Sequence, residues 1–433
     1  MTKFSSKVKN KFNRIIDDMD SISWLFSKNP QCDFKKNRKL PFKTVIKMII
    51  TMGGNTIHKE LYDFFNYSSD TPSTSAFVQQ RSKILPETFS FLMHELSSAF
   101  PVSKTFKNYH IFAIDGSDIN IPTDCNDKES FVRTGENIKG YNLWHLNAMY
   151  DVLEKRYVNV SVQKYRNMNE HKALIHMVDN TDIKGNVLLI ADRNYECYND
   201  IAHISNKGWK FLIRIRDNKG IVQRIRTQNS ETFDTDVQLL ITRQQTKEIK
   251  ANPEKYRFIP QSVNFDYLDK KSKEVYPMSF RIVRIKINDN LTETLVTNLE
   301  RKSFSSDDLK TLYKMRWGIE TAFRELKYNI GLSRFHSKKA DFILQEIYAR
   351  LIMYNITMLI ACNVNIVQNQ SMYKYQINYA EAIHICMKFM RSSKSPPDIE
   401  ALVAKNILPI RPGRTDIRKI RCQPAMCFIY RIA

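Results

Sequence analysis

The sequence predicts an α/β core carrying a β-rich insertion, with helical regions at both ends, and two patterns predict it. Apolar strand-like runs surround a polar helical segment over residues 106–216, as a partly parallel sheet with crossover helices requires. Segments of alternating polarity then fill residues 217–303, and a strongly periodic helix follows. Size agrees, since 433 residues exceed one ordinary core and imply two or three domains. Hydrophobic residues at 42% and aromatics at 11% place the chain among globular proteins, not disordered ones.

Residues 1–105 are predicted helical, with periodic apolar positions at Val45, Ile49, Leu61, Phe64 and Phe65. In the turn SSDTPSTSAF, Ser73 or Ser75 would cap a helix carrying Gln79, Gln80, Arg81 and Lys83. Two short helices about a polar turn fit a helix-turn-helix-like DNA-binding unit and, equally well, a plain bundle. In the core, His110–Ile114 runs into Asp115, and Leu143–Tyr150 and Tyr157–Gln163 are the next strand candidates. A helical segment from Asn169 to Asn180 leads to the strand Asn186–Ala191, which ends at Asp192, and Lys210–Ile215 gives a fifth strand. That order is the order of a ribonuclease H-like fold. FRIVRIKIN and ETLVTNL mark the inserted β-domain at 217–303. Residues 304–391 return to the core as helices, the first running from Ser305 or Ser306 to near Gly331. The linker-like SSKSPPD then opens a basic C-terminal tail, 392–433.

Charge gives the first functional hint. Lys+Arg number 67 against 45 Asp+Glu, a net +22 with a pI near 9.5, which favours a polyanionic partner without separating DNA, RNA and anionic membrane. MTKFSSKVKNKFNRIIDDMD is charged throughout and lacks a signal-peptide core. The most apolar stretch, Leu351–Cys362, contains Asn355 and is too short for a bilayer, so a buried helix and a cytoplasmic protein without a membrane partner are expected. Seven cysteines and nine histidines are scattered, and Cys422 and Cys427 are spaced wrongly for a zinc knuckle, so no zinc site is assigned.

The chemistry concentrates in SSDDLKTLYKMRWGIETAFRELKYNIG. At about 100° per residue, Leu312, Met315, Ile319, Phe323, Leu326 and Ile330 form the core face. Tyr313, Arg316, Glu320 and Lys327 line a stripe at its edge, while Lys310, Lys314, Thr321 and Glu325 take the solvated side. A carboxylate among Arg, Lys and Tyr would hold a metal while its neighbours grip phosphates; the plain alternative is a helix with i,i+4 charge pairs. Asp115 and Asp192 end the first and fourth strands, where side chains reach a site covered by an adjacent helix. Three converging carboxylates repel one another unless cations compensate, and Mg²⁺, which also binds phosphate oxygens, is the natural one. Asp118, Asp124, Asp151 and Glu170 are competing acids: Asp118 is out of register, Asp151 opens the turn between strands two and three, and Glu170 faces solvent at a helix start.

Tyr313-x2-Arg316-x3-Glu320-x6-Lys327 resembles the Y-R-E-K signature of the insertion-sequence DDE transposases called family four. Asp115-Gly116-Ser117, Asp192-Arg193-Asn194-Tyr195 and Val296-Thr297-Asn298-Leu299 extend the likeness over roughly residues 75 to 360. The resemblance implies a ribonuclease H-like catalytic domain and a bacterial, nucleoid-associated enzyme with catalytic, metal-binding Asp115, Asp192 and Glu320. It further implies Mg²⁺, replaceable by Mn²⁺, and DNA contacts by Tyr313, Arg316, Lys327 and Arg193. Its expected partners are double-stranded DNA, as terminal inverted repeats and target, and a second copy in a synaptic homodimer. It also suggests a flipped base held by an aromatic of the insertion, where Tyr256, Phe258, Phe265, Tyr267, Tyr276 and Phe280 are available. The expected reaction is cleavage at the element's ends, then strand transfer by the freed 3′-hydroxyl. A ribonuclease H-like nuclease or resolvase, and an inactive DNA-binding relic, are the alternatives.

Overall fold

Helices α1 (Phe4–Ser21), α2 (Phe42–Thr51), α3 (Ile57–Phe64), α4 (Thr74–Arg81) and α5 (Glu87–Ala99) open the chain. The computed structural model describes residues 3–410 apart from 37, 134, 136–138, 218–219, 223–230, 289–290, 367–372 and 392–397. Helical spacing explains the packing of α1, whose Val8, Phe12, Ile15, Ile16 and Met19 share one buried side. Ser73 caps α4, its Oγ accepting the Ala76 N–H at 3.2 Å. Arg81 does not project from α4 toward a ligand: it is fully buried and ion-paired to Glu346 at 2.8 Å.

The sheet begins with β1 (Tyr109–Ile121), β2 (Phe131–Val132), β3 (Tyr141–Asp151) and β4 (Arg156–Lys164). Helix α6 (Glu170–Asp179) crosses to β5 (Asn186–Ala191), and α7 (Tyr198–Asn206) to β6 (Lys210–Ile215). β1 pairs antiparallel with β3 and β3 with β4, whereas β5 and β6 lie parallel to β1 on its other side. The expected mixed α/β fold is therefore observed, with the predicted order of five long strands. Strand one is longer than its apolar run suggested: it continues past Asp115 to Ile121, because Ile119 and Ile121 keep the alternation and β3 pairs along that whole length. Asp115 thus lies within the strand and not at its end.

Residues 217–303 supply β7 (Phe233–Thr242), α8 (Lys247–Ala251), β8 (Tyr256–Phe258), β9 (Val275–Asn288) and β10 (Leu291–Thr297). Their strands continue the same sheet, in the order β6-β10-β9-β7-β8. Among their aromatics, Phe265 and Phe280 are buried core residues.

The chain then forms α9 (Ser306–Met315), α10 (Trp317–Tyr328) and α11 (Ala340–Ala361). The strand β11 (Lys374–Ile377), α12 (Tyr379–Arg391), α13 (Ile399–Lys405) and β12 (Ile407–Ile410) follow, and β12 pairs back onto β11. The basic tail beyond 410 lies outside the described residues. Helix α11 is buried on every side from Ile347 to Ala361 except at Tyr348, and packs against α1, α2, α5 and α12. Each fully buried Leu, Ile or Met there contributes about 1.5–3 kcal/mol. The apolar stretch at Leu351–Cys362 is explained by this burial, and no helix among the described residues is long and apolar enough to cross a membrane. One hydrophobic cluster joins α1, α2 and α5 to α10, α11, α12 and one face of β1 and β3; a second fills the opposite face under α6 and α7.

Candidate active site

Strand register brings the two aspartates level. Ala113 pairs with Ile190 in the parallel β1–β5 ladder, so two residues further along each chain stand Asp115 and Asp192. Asp192 leaves β5 in extended backbone and caps the 3₁₀ turn Arg193–Tyr195, its Oδ1 accepting the Asn194 N–H at 2.8 Å. Alternation along β1 puts Ile111, Ala113, Asp115 and Ser117 on one face and Phe112, Ile114, Gly116 and Asp118 on the other. Helix α10 packs on β1, and Lys327 Nζ donates to Ser117 Oγ at 2.8 Å.

The signature helix is two helices, not one. A capping box between Ser305 and Asp308 starts α9, and the run breaks at Arg316. The two halves serve different cores: Leu309, Leu312 and Tyr313 of α9 join the cluster around Val283 and Leu295, whereas Ile319, Phe323 and Leu326 of α10 join the cluster beneath α11. A continuous periodic pattern conceals such a change of partner. The predicted core face holds at Leu312, Ile319, Phe323, Leu326 and Ile330, with Met315 partly buried. Glu325 is not solvated; it is partly buried and accepts the Tyr354 hydroxyl at 3.1 Å.

Arg316 links the carboxylates. Its Nη2 donates to Glu320 Oε1 at 2.8 Å, and its Nη1 lies 3.7 Å from Asp115 Oδ2. Burial pushes the Asp115 carboxyl up to about 7; the Gly116 N–H opposes the rise, the charge of Asp192 adds to it, Arg316 opposes it, and Glu320 adds again. Asp192 and Glu320 therefore both act electrostatically on Asp115. Tyr313 is 5% exposed with its hydroxyl pushed up to about 12 by burial, and Arg193 is exposed. The residues fit a hard divalent cation in chemistry, since the donors are carboxylate oxygens with a single guanidinium offsetting their charge.

A raised carboxyl costs stability once ionised. Its ordinary value is about 3.9, so between that and about 7 the folded state holds the extra proton. This contribution is complete below pH 4 and is lost as pH rises through 7. In metal-free buffer the melting temperature of Asp115→Asn should gain on the wild type by at least about 3 °C between pH 5 and pH 8. Parallel melting curves would remove Asp115 from a buried, crowded environment.

The competing acids fall elsewhere. Asp118 and Glu170 meet behind the sheet, on either side of buried His145: Nδ1 lies 2.7 Å from Asp118 Oδ1 and Nε2 3.1 Å from Glu170 Oε1. Glu170 is thus engaged by a partner, not left to solvent. Burial works against the imidazolium, yet the two carboxylates prevail and hold it up at about 9. The sequence reading missed His145, one of several polar residues in the mostly apolar strand β3. Gly116 explains the fit, since a Cβ there would come within 2.2 Å of His145 Nε2. Asp151 accepts the Leu153 and Glu154 N–H groups in the β3–β4 turn, as its position predicted. Asp124 accepts the Asn126 N–H in a loop after β1. His171, Cys197 and Asp200 also cluster, but a 2.6 Å His171–Asp200 hydrogen bond occupies the facing atoms.

Residues 107–356 match the family described as transposase DDE domain. The match spans more than half of the chain. The chain belongs to that family. As a transposase DDE domain protein it is a DNA transposase by descent, of a family that works with divalent metals. A search of curated proteins finds no match. Among solved structures it is similar to the piggyBac transposase in its cryo-EM synaptic complex with hairpin DNA, at 12% identity and a TM-score of 0.44, over 96% of this chain and 85% of the other.

Proposed function

We propose that this transposase cuts the terminal inverted repeats of its own insertion sequence in the bacterial nucleoid and joins them to target DNA, using Asp115, Asp192 and Glu320. The observation that carries this reading is the arrangement around Arg316. One guanidinium reaches Asp115 on β1 and Glu320 on α10, while Asp192 acts on Asp115 from the neighbouring strand. Three segments distant in sequence thereby share one centre of negative charge. These carboxylates would hold Mg²⁺, or Mn²⁺ in its place, which supplies an activated oxygen nucleophile and stabilises the leaving oxygen.

The chain's own part is positioning. Asp115 is held by the Gly116 N–H, and Asp192 by the Asn194 N–H. Lys327, seven residues beyond Glu320 on the same stripe, and exposed Arg193, next to Asp192, would receive backbone phosphates on either side of the scissile one. Arg316 and Tyr313 would complete that contact from the α9–α10 junction. The Y-R-E-K stripe supports a reading as a family-four member, with domain boundaries at 105, 216, 303 and 391. Two ends must be held together for joining, which calls for a homodimer.

The test is strand transfer with pre-cut ends. Ends bearing a free 3′-hydroxyl should become covalently joined to a target duplex in Mg²⁺ without any prior cleavage step. Nicking of the same duplexes with no joined product would identify a nuclease or resolvase instead.

A further inference from the structure

A cavity of about 400 Å³ opens where α10 ends, at the opposite end of that helix from Glu320. Three stretches of chain meet there: the glycine turn between α2 and α3, the exit of α10, and one face of α12. On α12, His384, Lys388 and Arg391 recur four and seven residues apart and so project to one side. Arg391 is committed, its Nη2 lying 2.5 Å from Glu60 Oε2 and its Nε donating to the Thr51 carbonyl at 2.9 Å. Asp63 stands 4.0 Å from the same guanidinium. Arg334, His384 and Lys388 are exposed, and their side chains have no hydrogen-bond or ion-pair partner among the described residues. Beneath the turn, Arg350 is 1% exposed and bonds the Gly53 carbonyl at 2.7 Å, while its Nε and Nη1 have no hydrogen-bond partner. The acids of the cavity are thus matched by Arg391 and Arg350, and Arg334 and Lys388 are left over as positive charge.

The site is shaped as well as charged. A side chain at Gly54 would bring its Cβ to 2.9 Å from Arg334 Cδ, so the bare glycine lets that side chain lie across the turn. Tyr328, 68% exposed, offers an open ring at the rim. Tyr328 also follows Glu320 by eight residues of one helix, a rise of about 12 Å. A duplex advances about 3.4 Å per base pair, so that distance corresponds to roughly three or four base pairs.

We propose that this cavity is a phosphodiester-binding subsite for the duplex, in which Arg334 and Lys388 grip a backbone phosphate three or four base pairs from the scissile one. The subsite rests on the reading of Glu320 as the cleavage point. Because its walls come from the N-terminal helices, the catalytic helix and α12, a phosphate held there fixes the register between those three parts and the cut. A general basic surface has no such positional requirement.

The experiment is a salt titration of binding to a duplex carrying the element's terminal repeat. Arg334→Ala with Lys388→Ala should lower the slope of log affinity against log salt by about one phosphate contact, close to 0.9. Arg334→Lys with Lys388→Arg should restore it, and Lys7→Ala with Lys11→Ala on α1 should leave it unchanged. Neutral methylphosphonate linkages three or four base pairs from the cut should erase the difference between wild type and the alanine pair. An unchanged slope in the alanine pair, or an equal loss in the α1 control, overturns the subsite while the transposase reading stands. If the wild type itself bound the duplex without salt dependence, the reading beneath it would fail too.

Discussion

Asp115→Asn, Asp192→Asn and Glu320→Gln should each lower DNA cleavage by about a thousandfold or more while leaving duplex affinity close to that of the wild type. The two effects separate because they have different physical sources. Affinity for a polyanion comes from the net +22 of the chain and its exposed Lys and Arg side chains, and removing one negative charge does not weaken it. Cleavage depends on an intact set of anionic oxygens, and an amide of nearly the same shape cannot supply the charge. Cleavage rates under single-turnover conditions, set beside equilibrium binding of the same duplex, check this. Asp118→Asn is the informative control, because Asp118 lies on the other face of β1 against His145. Loss of cleavage in Asp118→Asn with activity retained in Asp115→Asn would move the site to the opposite side of the sheet.

The second large effect concerns stability. Arg81 and Glu346 are each about 1% exposed and 2.8 Å apart, and Arg81 also bonds Gln345 Oε1 and the Phe342 carbonyl. Glu346 in turn accepts from His336, which reaches the Asn55 carbonyl at 2.8 Å. Burial works against the Glu346 charge, but His336, Arg81 and Arg350 prevail and hold its pKa down at about 2. A depressed carboxyl stabilises the fold above its unfolded value near 4.3, and that support fades only as pH falls toward 2. Glu346→Gln leaves the Arg81 charge buried without its counterion, and should cost about 3–5 kcal/mol of unfolding free energy at pH 7. Arg81→Met combined with Glu346→Leu should recover most of that loss, since no orphan charge remains. Urea denaturation of the two variants decides the matter. A loss below about 1 kcal/mol in Glu346→Gln, or a double variant less stable than the single one, would show that the pair is not what ties α4 to α11.

How much of this was legible in the sequence depended on whether a signal is local. Strand period and strand order emerge from neighbouring residues, so the sheet from β1 to β6 was readable, as were the Ser73 cap and the burial of α11. The places of Asp115, Asp192 and Glu320 were readable as marked ones in the topology: two beside one another past the end of the parallel ladder, the third on the helix that packs on β1. Long-range partnerships were not. Arg81 looks like a DNA-facing arginine until Glu346, some 265 residues away, is placed against it. His145 gave no local sign of its two carboxylate partners, and Glu170 looked like an ordinary helix-start acid for the same reason. The break at Arg316 was hidden because α9 and α10 share one apolar period while packing on different cores. The extent of β1 was underestimated because the polar stretch at its centre, Asp115 to Asp118, interrupts the hydrophobic alternation that marks a strand.

The central claim is that Asp115, Asp192 and Glu320 together hold the catalytic metal. It is tested most directly by anomalous diffraction from crystals of the transposase bound to terminal duplex in Mn²⁺. The account predicts anomalous peaks coordinated by carboxylate oxygens from all three residues, at roughly 2.1–2.2 Å, on the face of β1 that α10 covers. Peaks bound elsewhere, or Glu320 remaining more than about 12 Å from both aspartates in the DNA complex, would contradict it.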